Sequence, residues 1–187
     1  MITIRFAQPG DAERILEIYT PYVTDTVITF ETEVPTLDVF TKRIQDISKE
    51  YPYLVAEKEG RIIGYAYAHR YRERAAYQWD AELSIYIDHS ETGHGIGSYL
   101  YKTLIDLCKK MGLFNLYGIV TVPNISSEKL HEKMGFVRVG TYRKVGYKHN
   151  AWRDVASFAK RLTDEEMEPG ELLKMDVLKK ALSVAEY

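Results

Sequence analysis

Residues 83–100 read LSIYIDHSETGHGIGSYL, and this stretch decides the fold of the chain. Its first five residues are mostly apolar, which is typical of a strand, and Leu100 begins a series of apolar residues at helical spacing. Gly93, Gly95 and Gly97 lie between the two. Glycines let successive backbone N–H groups point into one small volume, and a helix start adds unpaired N–H groups and the positive end of its dipole. The pattern predicts a phosphate-binding loop.

Two other kinds of phosphate loop do not fit this stretch. A dinucleotide-binding fingerprint needs a glycine where Ser98 stands, and a P-loop needs a lysine followed by serine or threonine at the helix start. A plain tight turn is the remaining alternative. Three glycines at alternate positions exceed what a turn requires, so we prefer the ligand-binding interpretation.

Outward from this stretch, apolar periodicity predicts one α/β domain over residues 1–162. Pro169 and Gly170 are expected to break a helix that would begin at 163–166. Beyond them, the extension over 163–187 is predicted to form an amphipathic helix that packs on its own domain or on a partner, through Leu172, Met175, Leu178 and Leu182. The predicted strands are 2–6, 53–57, 61–69, 82–88, 115–121, 136–147 and 152–162. One predicted helix follows an N-cap at Asp11, and the other predicted helices span 36–48, 95–111 and 126–134.

The composition is typical of a folded globular protein. The 187 residues are 45% hydrophobic and 28% charged, and a formal net charge of -2 gives no electrostatic reason to expect a nucleic-acid partner. No apolar run is long enough for a membrane span and no export signal precedes the first strand, so the cytoplasm is the expected location. Cys108 lies on the apolar face of a predicted helix and is interpreted as core. The five histidines lack metal-ligand spacing, and no metal site is expected.

The glycine loop resembles the acyl-CoA signature of the GNAT N-acetyltransferases. That signature is usually [Q/R]-x-x-G-x-[G/A], and Thr92 occupies its first position. Residues 124–136, which read NISSEKLHEKMGF, resemble the second half-signature of the family, with His131 in the position of its tyrosine. The resemblance implies acetyl-CoA as the co-substrate. The cofactor-binding residues that it implies are Ile85, Tyr86, Ile87, Thr92, Gly93, His94, Gly95, Ile96, Gly97, Ser98, Asn124 and Ser127.

Four further segments resemble the phosphinothricin acetyltransferase branch of this family, which includes enzymes that acetylate methionine sulfoximine and methionine sulfone. The resemblance spans about residues 1–162, and it implies a homodimer and the GNAT fold. That fold is a mixed, mostly antiparallel sheet with helices on both faces, in which the strands at 82–88 and 115–121 splay to admit the pantetheine. The four segments are ITFETE at 28–33, YQWDAE at 77–82, VPN at 122–124 and GYKHNAWRD at 146–154.

The resemblance also implies roles for two ionisable side chains. Direct transfer to an amine requires that the ammonium group first lose a proton. Glu82 resembles the proposed catalytic glutamate of the branch, and a salt-bridged strand carboxylate is the alternative. His131 is expected to donate a proton to the leaving CoA thiolate, since a histidine can titrate near neutral pH, and a structural histidine is the alternative.

The acceptor is expected to carry a carboxylate, which the planar fork of an arginine binds well. Arg72 and Arg74 lie where the branch keeps such arginines, and a solvated charged loop is the alternative. Phe30 is expected to line the substrate pocket. Tyr147 is assigned either to that pocket or to a dimer interface.

The sequence therefore predicts an enzyme that moves an acetyl group from acetyl-CoA to the α-amino group of a small amino-acid-like acceptor. Its rivals are an acetyltransferase for protein N-termini or polyamines, and a non-catalytic acyl-CoA-binding sensor. A polyamine enzyme favours an acidic substrate loop, whereas residues 70–77 are basic. A silent sensor would not need Glu82 and His131.

Overall fold

The computed structural model describes residues 2–163 and 166–182, and the side chains of all of these except 181 and 182. It contains one seven-stranded sheet in the order β1-β2-β3-β4-β5-β7-β6. The strands are β1 Ile2–Phe6, β2 Tyr53–Lys58, β3 Arg61–Arg70, β4 Asp80–Ile87, β5 Asn115–Val122, β6 Val137–Lys148 and β7 Ala151–Arg161. The helices are α1 Ala12–Thr24, α2 Leu37–Glu50, α3 Ile96–Met111, α4 Ile125–Lys133 and α5 Met175–Leu182.

The sheet consists of two antiparallel halves that are joined by one short parallel pairing. β3 pairs with β4 along Gly64–Arg70, and β5 pairs with β7 along its whole length. Between the halves, only Asp80–Glu82 of β4 pairs with Asn115–Tyr117 of β5, although β4 continues to Ile87. The two central strands therefore diverge after Glu82, as the family resemblance implies.

Helices cover both faces of the sheet and give it two separate cores. On one face, the apolar stripe of α3 packs on inward residues of β2 to β5, among them Leu54, Ala66 and Leu116. On the other face, α1 and α2 pack on a tyrosine-rich surface that includes Tyr53 and Tyr65. The predicted α/β class, mixed and mostly antiparallel with helices on both faces, is confirmed.

Asp11 directly precedes α1 as predicted, but its side chain does not cap that helix. The carboxylate instead accepts hydrogen bonds from the Gln8 N–H at 2.7 Å and from the Arg5 guanidinium at 2.7 and 3.0 Å. A tight turn at Pro9–Asp11 lies between β1 and α1, and it directs the carboxylate back toward the strand. The reason is tertiary, because Arg5 is a stronger partner than a helix N–H.

A helix is expected to begin at 163–166, but Thr163 and Glu166 are not helical. Asp164 and Glu165 lie outside the residues that the structure describes. Residues 166–174 run without helix across the C-terminal end of α3, and α5 begins only at Met175. Trp79 Nε1 donates a 2.8 Å hydrogen bond to the Gly170 carbonyl, and the Leu173 N–H donates to the Met111 carbonyl at 2.8 Å.

The extension packs on its own domain. α5 lies against α2 and α3 and buries Met175 and Leu178, while the predicted apolar residue Leu182 lies outside the described side chains. None of the helices in residues 2–163 and 166–182 is long and apolar enough to cross a membrane.

We predict that Leu178→Ala lowers the free energy of unfolding by about 2–5 kcal/mol, the usual cost of truncating a buried leucine. Leu178 is 1% exposed, whereas its neighbour Val177 on the same helix is 49% exposed and provides the matched control. Urea denaturation of both variants measures the difference. Equal effects from Leu178→Ala and Val177→Ala would contradict the packing of the extension on the domain.

Candidate active site

A narrow cleft opens where β4 and β5 diverge. The edge of β4 beyond Glu82 has no strand partner on the β5 side, so its backbone groups are available to a ligand that can pair like a strand. The cleft has a volume of about 60 Å³, and its walls come from both strands, from Ile28 and from α4. The residues that line it are Ile28, Leu83, Ser84, Ile85, Tyr86, Ile119, Val120, Thr121, Asn124, Ser127 and His131.

The glycine loop lies at the carboxyl end of β4 and leads into α3. Gly93 and Gly95 have φ values of +86° and +79°, a left-handed conformation that side chains with a Cβ rarely adopt. Gly95 is the N-cap of α3 and has no side chain to cap the helix, so the initial backbone N–H groups lie open. A Cβ at Gly93 or Gly95 would meet no protein atom within 4 Å. Both the open space and the donors suit an anionic phosphate.

A cation lies beside this loop that sequence reasoning did not identify. Lys133, the last residue of α4, donates from Nζ to Ser98 Oγ in the first turn of α3 at 3.1 Å. Thr92, which replaces the long polar side chain of the usual signature, bonds the His89 carbonyl at 3.1 Å instead. Lys133 thus brings a positive charge to the loop from a different element. No spacing rule in the sequence indicates this contact, because α3 and α4 meet only in the folded chain.

Asn124 and Ser127 hold the start of α4 at the cleft. Asn124 Oδ1 accepts from the Ser127 N–H at 3.1 Å, which caps the first turn of α4, and Glu128 Oε1 accepts from the Asn124 N–H at 2.9 Å. Both predicted cofactor-binding residues line the cleft. Their part in cofactor binding stays a prediction.

His131 lies at the base of the cleft and is almost wholly buried, with 3% of its surface exposed. Nδ1 lies 2.8 Å from the Ser127 carbonyl, which only accepts, so Nδ1 carries the hydrogen and Nε2 accepts from the Tyr101 hydroxyl at 3.0 Å. Burial lowers the pKa of His131 below its usual value, which favours the neutral ring. At Gly118 on β5, a Cβ would lie 2.1 Å from Nε2. The His131 ring is therefore closely packed, and both of its nitrogens have hydrogen-bond partners in the protein. The role of His131 as a proton donor stays a prediction.

Glu82 lies at the point of divergence, on the face opposite α3. Its carboxylate side chain is 26% exposed, and its cross-sheet neighbours are His69 on β3 and Tyr117 on β5. His69 Nε2 lies 3.7 Å from Glu82 Oε1, whereas no arginine or lysine pairs with this carboxylate among the described residues. The catalytic role of Glu82 stays a prediction.

The structure separates the two predicted arginines. Arg72 stacks over the rings of Tyr71 and Tyr77 at 5.0 and 5.4 Å, and Tyr71 stacks on Tyr117 at 4.0 Å. Because Tyr117 is the cross-sheet neighbour of Glu82, this stack connects Arg72 to the Glu82 face. Both arginines also line a cavity of about 730 Å³ between the end of α2 and the extension, and Glu82 does not line that cavity. Arg74 has no stack that connects it to the Glu82 face.

The segment between α1 and α2 forms one rim of the site. Phe30 lies on Gly146 of β6, where a Cβ would come within 2.2 Å of its ring, and Ile28 lines the cleft. Lys148 is buried and donates from Nζ to the Thr29 carbonyl at 2.8 Å, and burial lowers its pKa. Tyr147 is 58% exposed beside Trp152, and it is not among the residues that line the cleft. The arrangement places Phe30 at the rim and Tyr147 on the outer surface.

A family model described as an acetyltransferase (GNAT) domain matches residues 4–156. The chain belongs to the GNAT acetyltransferase family. Phosphinothricin N-acetyltransferase of Streptomyces viridochromogenes is 34% identical over 154 residues, which cover 82% of this chain and 84% of that protein. L-methionine sulfoximine/L-methionine sulfone acetyltransferase of Salmonella typhimurium is 29% identical over 171 residues, which cover 90% and 98%.

Solved structures give the same assignment. A GNAT superfamily phosphinothricin acetyltransferase from Sinorhizobium meliloti, solved in complex with AcCoA, has a TM-score of 0.87 and 35% identity. The match covers 91% of this chain and 94% of that one. The GNAT protein described here is thus an N-acetyltransferase whose acetyl donor is acetyl-CoA. The unpaired edge of β4 fits a pantetheine amide chain, and the open glycine loop fits the pyrophosphate.

Two other chemistries find no support among the described residues. Cys108 is fully buried in the α3 core, and burial raises the pKa of its thiol, which disfavours the thiolate that a covalent acetyl-cysteine route requires. No group of three or more His, Cys, Asp or Glu side chains in residues 2–163 and 166–182 could hold a metal ion.

We predict that Lys133→Ala raises the KM for acetyl-CoA about two- to five-fold and leaves kcat unchanged. An exposed charge contact is worth up to about 1 kcal/mol and acts equally on the ground state and the transition state. Lys129→Ala, one turn earlier on the exposed side of α4, is the matched control. Steady-state kinetics at low and high salt measure the effect, which should shrink as salt rises. If Lys133→Ala and wild type have the same KM for acetyl-CoA at low salt, Lys133 does not bind the phosphate.

Proposed function

We propose that this GNAT enzyme acetylates the α-amino group of small amino-acid-like acceptors of the phosphinothricin, methionine sulfoximine and methionine sulfone class. The observation that carries the proposal is the position of Glu82. It is a partly exposed carboxylate at the point where β4 and β5 diverge, without a cationic Lys or Arg partner among the described residues. The named relatives acetylate acceptors of this class, and the segments that this chain shares with them border the same site.

Glu82 is the group that prepares the amine. An α-ammonium group must lose a proton before its nitrogen can attack the thioester that acetyl-CoA supplies, and a positioned carboxylate or a water that it holds can accept that proton. Because Glu82 lies beside the unpaired edge of β4, an amine held at its oxygens is close to the mouth of the cleft. Proximity of the amine and the thioester is itself a large part of the rate enhancement.

Arg72 is the better of the two candidates for the acceptor carboxylate. Its guanidinium belongs to the stack of aromatic rings that continues to Tyr117 beside Glu82, whereas Arg74 has no such connection. The loop from Arg70 to Tyr77 carries three arginines against one glutamate, which suits an acidic acceptor better than a polyamine.

In this proposal His131 has a structural role at the cleft. Its neutral ring supports the start of α4 and the β5 wall near the thioester end of the cleft. Donation of a proton to the leaving thiolate would require the Tyr101–His131 pair to act together, since Tyr101 Oη is the hydrogen-bond partner of Nε2.

We also propose that the enzyme is a homodimer and acts in the cytoplasm. The outer strands β6 and β7 expose a row of large apolar side chains, each more than half exposed, and such a patch is typical of a protein–protein interface. The residues are Val137, Val139, Tyr142, Val145, Tyr147 and Trp152. Tyr147 belongs to this surface, which favours its interface role over its substrate role.

We predict that Glu82→Gln lowers kcat/KM about 100-fold or more for phosphinothricin, methionine sulfoximine and methionine sulfone, because glutamine cannot accept the proton. Glu13→Gln, an exposed carboxylate on α1, is the control. Release of the CoA thiol is measured across these acceptors, free amino acids, spermidine and an N-terminal peptide. Turnover confined to spermidine or the peptide would refute the acceptor class, and acetyl-CoA binding without any turnover would favour the sensor.

We predict that Val139→Asp converts a dimeric wild type to a monomer, since a buried unpaired carboxylate at an interface costs several kcal/mol. Val39→Asp places the same charge on α2, where Val39 is similarly exposed, and should leave the dimer intact. Sedimentation velocity measures both. A monomeric wild type, or a dimer that survives Val139→Asp, would rule out this surface as the dimer interface.

A further inference from the structure

We propose that His69 is a second proton-accepting group of the active site, and that it forms an ammonium-binding pair with Glu82. The inference rests on the proposed role of Glu82 and goes beyond it, because a carboxylate alone is a weak base for an ammonium group. An imidazole is a stronger base than a carboxylate in water. His69 lies where such a base is needed.

Sheet register places the two side chains together. His69 on β3 and Glu82 on β4 are directly opposite residues of an antiparallel pair, so both side chains lie on the same face. His69 Nε2 lies 3.7 Å from Glu82 Oε1. The two side chains are 33% and 26% exposed, which leaves both accessible to a small ligand.

The backbone selects the tautomer of His69. Nδ1 lies 3.1 Å from the Arg70 carbonyl oxygen. A carbonyl only accepts hydrogen bonds, so Nδ1 carries the hydrogen and Nε2 of the neutral ring carries the lone pair. Two acceptors, Nε2 and the Glu82 carboxylate, therefore lie near each other with no hydrogen between them. An ammonium group can donate to both at once, and neither side chain can satisfy the other while the ring is neutral.

The cavity beside His69 gives the proton a route to solvent. It has a volume of about 560 Å³ and opens on the α2 side of the ring. The charged groups around it are mostly paired with one another: Arg43 with Glu31, Asp46 with Lys42 and Lys49, and Arg70 with Glu50 and Glu73. The titratable and charged groups that face His69 are Glu82 from β4, Tyr67 and Arg70 from β3, Arg43, Asp46 and Glu50 from α2, and Tyr51 and Glu73 from the adjoining loops.

The proton balance of the step is complete. Glu82 accepts one proton from the acceptor ammonium and passes it to Nε2 of His69, and the restored carboxylate stabilises the imidazolium that results. The freed nitrogen forms a bond to the acetyl carbon, and the carbon–sulfur bond breaks. The second proton lost by the nitrogen goes to the departing sulfur, and the imidazolium returns the first to solvent. One proton is released per acetyl group transferred, and no oxidant or further reactant is required.

The test compares wild type and His69→Gln over a range of pH with one acceptor that the wild type acetylates. Because both proteins use the same acceptor, the ratio of their kcat/KM values cancels the titration of the acceptor itself. We expect the wild type to be about 10- to 100-fold faster at alkaline pH, and the ratio to fall toward one at acidic pH, where a protonated His69 can no longer accept. A ratio that stays constant with pH indicates a structural role and overturns the proposal, as does a ratio of one throughout.

His89→Gln is the matched control, since His89 is exposed and follows the far end of β4 from Glu82, and its kcat/KM should equal that of wild type at every pH. A second measurement does not depend on turnover. Nitrogen-15 NMR of the imidazoles at alkaline pH should show His69 with hydrogen on Nδ1, and its Nε2 resonance should shift in Glu82→Gln. Hydrogen on Nε2, or an Nε2 resonance that Glu82→Gln leaves in place, overturns the proposal. If the wild type acetylates none of the amino-acid-like acceptors, the proposed function fails while the NMR result still decides the His69–Glu82 pair.

Discussion

The divergence of β4 from β5 is the constraint on which the site depends. Each strand is held firmly on its outer side, β4 by β3 and β5 by β7, and only three residue pairs join them to each other. His131 fills the space next to Gly118, one residue beyond the last residue of β5 that pairs with β4, so a larger residue at position 118 would clash with the ring. The fold therefore supplies an unpaired strand edge in the interior of a sheet, where sheets otherwise satisfy every backbone group. The glycine loop, the α4 cap and Glu82 all lie around that edge.

Burial divides the histidines of the site into two kinds. His131 is enclosed by the rings of Tyr101, Phe136 and Phe158, and both of its nitrogens have protein partners. His69 lies with Nε2 near a carboxylate and lines an open cavity. The same kind of side chain is thus buried on one face of the sheet and partly exposed on the other. The Glu82 face has charged groups and an open cavity beside His69, whereas His131 is enclosed by aromatic rings on the α3 face.

Contacts distant in sequence hold the acceptor side in shape. Lys148 on β6 and Tyr19 on α1 both bond Thr29, through its carbonyl and its hydroxyl, at 2.8 Å each. Burial of the Lys148 ammonium is tolerated because a carbonyl accepts its hydrogen bond. These contacts fix the rim that carries Phe30. The extension fills a different place, at the end of α3, where it closes the large cavity that Arg74 faces.

The sequence by itself determined what local spacing encodes: the period-two and helical stretches, the glycine loop, and the resemblance that implies the GNAT fold and acetyl-CoA. The sequence does not show which partner a side chain selects when several compete. The Asp11 carboxylate, for example, bonds Arg5 and does not cap α1. Only the tertiary structure decided which side chains meet across elements. Lys133 reaches Ser98, Arg72 stacks toward Tyr117 while Arg74 does not, and His69 faces Glu82. The long connection between β3 and β4 leaves their register open in the sequence, and register alone puts His69 opposite Glu82, because a shift of one residue would move one of them to the other face.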